Sequence, residues 1–116
     1  MKYMLMMFGS AGEMMETASP DWIREMIAYM TNLDSELRQN GEMVFNAGLA
    51  DGSAAKLVHA DGLVTDGPFA EAKESLIGFW IVDVASEVRA NELATSIAKY
   101  SRVVEVRPVA EQPPEV

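Results

Sequence analysis

Hydrophobic positions along this chain recur with two periods, every second residue or every third to fourth, and the period changes at glycine, proline and Asp-Gly breaks. Lys2 to Phe8 reads as a strand ended by Gly9. Both of its alternating sets are apolar, Met4, Met6 and Phe8 on one side and Tyr3, Leu5 and Met7 on the other, so both faces are expected to be covered. Gly9 to Ala18 reads as a connecting loop, and its Met14-Met15 pair has two readings: side chains tucked beneath the loop, or a flap over a cavity. Ser19-Pro20-Asp21 then carries the marks of a helix start, a hydroxyl cap, a proline where no amide donor is needed and an acid near the positive end. Ile23, Met26, Ile27, Met30, Leu33 and Leu37 form one stripe to about Asn40, with Gly41 as the left-handed stop.

Glu42 to Leu49 reads as a second strand. Three turn signals follow, Asp51-Gly52, Asp61-Gly62 and Asp66-Gly67, because glycine takes positive φ freely. Lys56 to His59 and Leu63 to Thr65 predict a hairpin turning at Asp61-Gly62, inserted on the sheet edge. Ser75 to Val84 is the most apolar strand, with Leu76, Trp80, Val82 and Val84 on one face and Ile77, Phe79 and Ile81 on the other, which predicts burial on both sides. Ser86 caps a second helix to about Tyr100 with a narrow stripe of Ala90, Leu93, Ala94 and Ile97. Val103 to Val109 alternates Val104, Val106 and Pro108 against Glu105 and Arg107, as a half-exposed edge strand does.

The order is strand, helix, strand, hairpin, strand, helix, strand, the split βαβ arrangement of an α+β sandwich. Two helices cover one sheet face only. The second apolar face therefore predicts a homodimer packed sheet to sheet.

Composition narrows the function classes. At 116 residues the chain is expected to be a single domain over residues 1–109 with a tail at 110–116. There are no cysteines, which excludes disulfides and thiol nucleophiles and fits a cytoplasmic protein. Tyr3 to Phe8 is too short for a signal-peptide core. A net charge of -9 with scattered lysines and arginines opposes phosphate backbones and anionic lipid, so neither nucleic acid nor membrane is an expected partner. No phosphate-binding glycine motif, paired histidines or serine elbow is present, so no cofactor and no metal are expected.

The one segment with the look of a site is Thr65-Asp66-Gly67-Pro68-Phe69-Ala70-Glu71-Ala72-Lys73-Glu74, followed by Gly78-Phe79. With the opening Met1-Lys2-Tyr3-Met4-Leu5, the helix start Ser19-Pro20 and the end Val104-Glu105-Val106-Arg107-Pro108, it resembles the YCII-related family, in particular the branch named for the Asp-Gly-Pro-Phe motif. That resemblance implies a ferredoxin-like α+β fold pairing into a dimeric α+β barrel. In the wider family it implies small enzymes with a His/Asp pair, one type removing chloride from a hydroxylated ring. The histidine of that pair lies near the first helix, whereas the single histidine here, His59, lies in the hairpin and reads as a solvated surface residue.

Asp66 has two readings. Its carboxylate caps its own Asx-turn, or it sits beside an apolar pocket as an acid or base. Phe69 is expected to anchor its ring in the core. Lys73 offers a cation to an anionic ligand group while Glu71 or Glu74 positions it, or the three are a solvated charge cluster. Two functions follow. One is a homodimer binding a small organic ligand between the Asp66 to Glu74 loop, the first strand and the Met14-Met15 flap, with acid/base, lyase-like chemistry by Asp66, Lys73 and Glu74. The other is a non-catalytic interaction or regulatory module, to which the resemblance adds relatives joined to transcription sigma-factor regions.

Overall fold

The computed structural model describes residues 1–69 and 75–111. Its elements are β1 (Lys2–Gly9), α1 (Ala11–Thr17), α2 (Pro20–Gln39), β2 (Met43–Gly48), a 3-10 turn (Gly52–Ala54), β3 (Lys56–Val58), β4 (Val64–Asp66), β5 (Ser75–Asp83), α3 (Glu87–Ser101) and β6 (Val104–Pro108). Four strands form one antiparallel sheet in the order β2-β5-β1-β6. With α2 and α3 as its two crossovers, this is the ferredoxin-like α+β fold.

The helix signals act as expected. Ser19 accepts a hydrogen bond from the Trp22 amide at 3.1 Å, with Pro20 in the first turn. Gly41 has φ 71 and lets the Glu42 amide reach back to the Leu37 carbonyl at 2.8 Å. Ser86 caps α3 through the Arg89 amide. Of the α2 stripe, Leu33 and Leu37 are buried, while Ile27 turns outward. Trp22, Tyr29 and Tyr100 bridge α2 and α3, with ring centroids 5.6 and 5.1 Å apart.

One helix was not expected. Gly9 to Ala18 is largely α1 rather than a loop. The signal is Ser10-Ala11-Gly12-Glu13: Ser10 Oγ accepts from the Glu13 amide at 3.2 Å, as a capping serine does. The hairpin also differs from the expected edge insertion. β3 and β4 pair only with each other and form a separate two-stranded sheet among the described residues. Three residues on each side with Val58, Val64 and Leu63 exposed give it too little apolar surface to dock.

Register assigns the faces. Rows Met43-Val82-Tyr3-Pro108, Asn46-Trp80-Leu5-Val106 and Gly48-Gly78-Met7-Val104 run across the four strands beneath the helices. Leu5, Val82, Leu37 and Ile97 are fully buried there. Rows Phe45-Ile81-Met4-Arg107 and Ala47-Phe79-Met6-Glu105 lie on the opposite face. A β-bulge exchanges two residues of the expected alternation: Met7 pairs with Gly78 but Phe8 pairs with Leu76, so Ile77 turns to the helix side and Leu76 to the open side.

No helix among the described residues covers the open face, so among them β5 is buried on one side only. Leu76, Phe79 and Ile81 are half-buried, whereas Trp80, Val82 and Val84 are buried. The molecule is a thin plate of 51 × 44 × 19 Å. Its radius of gyration is 15.9 Å, against roughly 13 Å for a compact chain of this length.

Candidate functional site

The best-formed concavity lies between α1, α2 and the β2–β5 side of the sheet, with a volume of about 330 Å³. Its apolar wall follows from helical and strand spacing. Met26, Met30 and Asp34 recur at four-residue intervals, so they line one ridge of α2. Met14 and Met15 come from α1, Met7 from β1, and Ile77 and Trp80 from β5, with Ile77 brought to this side by the bulge. Gly48 and Gly78 are register partners on adjacent strands, and their missing side chains leave the floor open. Five of the nine methionines thus meet around one space, a lining of flexible, polarisable thioethers.

The polar groups of this cavity are few. Asn46 Nδ2 donates to Asp34 Oδ1 at 2.7 Å across the gap between β2 and α2. Trp80, the row neighbour of Asn46, is 6% exposed, and its indole Nε1 is buried without a hydrogen-bond partner among the described residues. An unpartnered buried donor costs about 1–3 kcal/mol. Among the described residues no lysine, arginine or histidine lines the space.

The roof is fastened by a carboxylate. Asp51 Oδ1 accepts from the Gly12 amide at 3.0 Å and from Ser10 Oγ at 3.2 Å, while Oδ2 accepts from the Ser53 amide at 3.1 Å. These bonds, the Gly12 amide foremost, lower the Asp51 carboxyl from 3.8 to about 2. They tie the first turn of α1 to the 3-10 turn after β2. Gly52, next in the chain, fits only because it lacks a side chain, since a Cβ there would collide with Ser75. A second fixed-charge cluster, Arg89 with Glu42 at 2.8 and 2.9 Å, closes the far end of the sheet and has no part in the cavity.

The described residues of the Asp-Gly-Pro-Phe segment, and His59, lie elsewhere. Asp66 ends β4, is 86% exposed and pairs with Lys56, its register partner on β3; it does not line the cavity. Its Oδ1 is therefore engaged across the hairpin. Lys73 and Glu74, with Glu71, fall outside the described residues. Phe69 does not anchor in the core of the subunit: it is 96% exposed. His59 is exposed at the hairpin turn, its backbone bonded to Leu63 and Gly62. Met14 and Met15 do sit over a cavity, on a helix rather than a loop.

Asp34, Asn46 and Trp80 were not read as a site. The available signal was the acid itself, which interrupts the apolar ridge Met26-Met30 at its next four-residue step. No group of three or more histidine, aspartate or glutamate side chains gathers to hold a metal ion among the described residues. No helix among them is long and apolar enough to cross a membrane.

Comparison with known proteins adds two findings. The YCII-related domain matches residues 1–112. An uncharacterised protein of Rhizobium meliloti is 43% identical over 63 residues, a stretch covering 50% of this chain and 51% of that protein. The match thus spans about half the length of that relative.

Proposed function

The chain belongs to the YCII-related family, and from that premise we propose that it binds a small, largely apolar molecule in the methionine-lined cavity and works as a homodimer joined through its open sheet face. The observation that carries the binding reading is the cavity's composition: an apolar wall and one Asp34–Asn46 pair. Pockets for small ligands have this makeup, apolar lining with a few placed polar groups, and about 330 Å³ lies at the small end of their range. The reading assigns recognition and no reaction. It gives Asp66 no part, because that carboxylate is solvated and paired with Lys56.

The dimer is supported by the open face. Phe45, Phe79, Ile81, Met4 and Met6 form a contiguous apolar centre, with Phe45 and Phe79 ring centroids 6.0 Å apart. Lys2, Asp83, Glu105 and Arg107 stand around it with both signs of charge. A two-fold axis brings such a face onto its own copy.

The binding reading is tested with methionine methyls labelled for NMR and 3-phenylpropan-1-ol as the probe. Saturable shifts are expected at Met14, Met26 and Met30 and none at Met43, which lies two rows away. Shifts confined to Met4 and Met6 on the open face, or no saturable shift, would refute it.

A further inference from the structure

Resting on the cavity reading above, the inference concerns what the ligand carries at its polar end. We propose that the ligand is a protonated amine on an apolar body and not a carboxylic acid. Asp34 faces the cavity with its hydrogen bonding far from exhausted. A carboxylate has about four acceptor positions, and the Asn46 amide is the only hydrogen-bond partner of Asp34 among the described residues. No ion pair to Asp34 occurs among them either.

The environment selects the sign of charge. No basic side chain among the described residues lines the cavity, so an anionic ligand would meet Asp34 without compensation. The chain as a whole carries a net charge of -9, whose field concentrates cations and depletes anions at every opening. The walls agree: an indole face attracts an ammonium, and thioethers are soft and polarisable. Trp80 supplies the aromatic surface.

Asn46, bonded to Asp34 at 2.7 Å, holds the carboxylate in place for the amine.

The test uses three probes with one phenylpropyl body: phenylalaninol, 3-phenylpropan-1-ol and 3-phenylpropanoate, titrated by calorimetry against wild type and Asp34→Asn with the methionine methyls as site reporters. Phenylalaninol is expected to bind wild type about tenfold or more tightly than the neutral alcohol, the scale of one charge-assisted hydrogen bond, with the carboxylate weakest. Asp34→Asn keeps the shape, so it should remove that advantage and bring the amine and the alcohol to within about twofold of each other on the variant. Should Asp34→Asn not fold, the wild-type order of the three probes decides alone. If the alcohol shifts the cavity methionines but the amine binds no tighter than the carboxylate, the amine inference is overturned and the cavity reading stands. An amine advantage that survives in Asp34→Asn also overturns it, since bulk charge and not Asp34 would then be the cause. If no probe shifts those methyls, both readings fall together.

Discussion

Replacing Ile81 by aspartate separates the fold from its association. Ile81 sits in the middle of the open-face row, flanked by Met4 on β1 and Phe45 on β2. In a lone subunit this face is wet, so the new carboxylate stays hydrated and the helix-side core of Leu5, Val82, Leu37 and Ile97 is untouched. In the sheet-to-sheet dimer the same carboxylate is dry. Ile81 is already half-buried, so the hydrophobic contribution lost is about 1 kcal/mol per subunit. Desolvating the charge costs several kcal/mol more per ion after relaxation. Two-fold symmetry counts each term twice, giving at least about 6 kcal/mol, or a dissociation constant raised by about 10⁴-fold. Sedimentation equilibrium from about 1 to about 100 µM reads this directly, since a coupled dimer responds to concentration. Wild type is expected at twice the 12.7 kDa chain mass and Ile81→Asp at the chain mass. Wild type that sediments as a 12.7 kDa species throughout, or an Ile81→Asp variant that stays dimeric, refutes the argument.

Two further outcomes concern stability. Arg89→Met should cost about 2–3 kcal/mol in urea unfolding at neutral pH, because Glu42, only 14% exposed, loses two charge-assisted bonds and keeps its charge. Its pH dependence has a definite sign: the Arg89 hydrogen bonds lower the Glu42 carboxyl below its ordinary value, so this stability is full above the ordinary carboxylate range and fades as pH falls through the lowered value. A wild-type advantage that grows in acid would contradict it. Asp66→Asn removes an exposed pair with Lys56 and should change stability by no more than about 1 kcal/mol while leaving probe binding at the cavity methionines unaltered; weakened probe binding would return Asp66 to the site.

The fold was legible because its signals are local. Ser19-Pro20, Gly41 and Ser86 each act through one or two hydrogen bonds within a turn, so spacing alone reveals them. Strand periodicity likewise gave β1, β2, β5 and β6 to within a residue or two at each end. It failed at Ile77, where one extra residue in β5 shifts the alternation; a bulge depends on the partner strand's register, which no single segment carries. The candidate site was less legible for a similar reason. Asp34, Asn46 and Trp80 come from three elements and look like a helix acid, a strand amide and a core aromatic until the fold joins them. The conspicuous Asp66-Gly67-Pro68 stretch drew attention through turn chemistry, which marks a bend more reliably than a function.

Seven residues are too few to nucleate and sustain a helix unaided, so α1 exists through its attachments: Asp51 at its first turn and Met14 against the cavity. The Asp51 bonds lie at the surface, where water readily replaces them. Among the cavity's walls α1 is therefore the one with the lowest free energy of local opening, while the sheet and α2 belong to the cooperative core. For the ligand proposed above, exchange would then be governed by the unhooking of one solvated carboxylate, and on-rate and residence time would be adjustable at Asp51 and Ser10, outside the cavity lining.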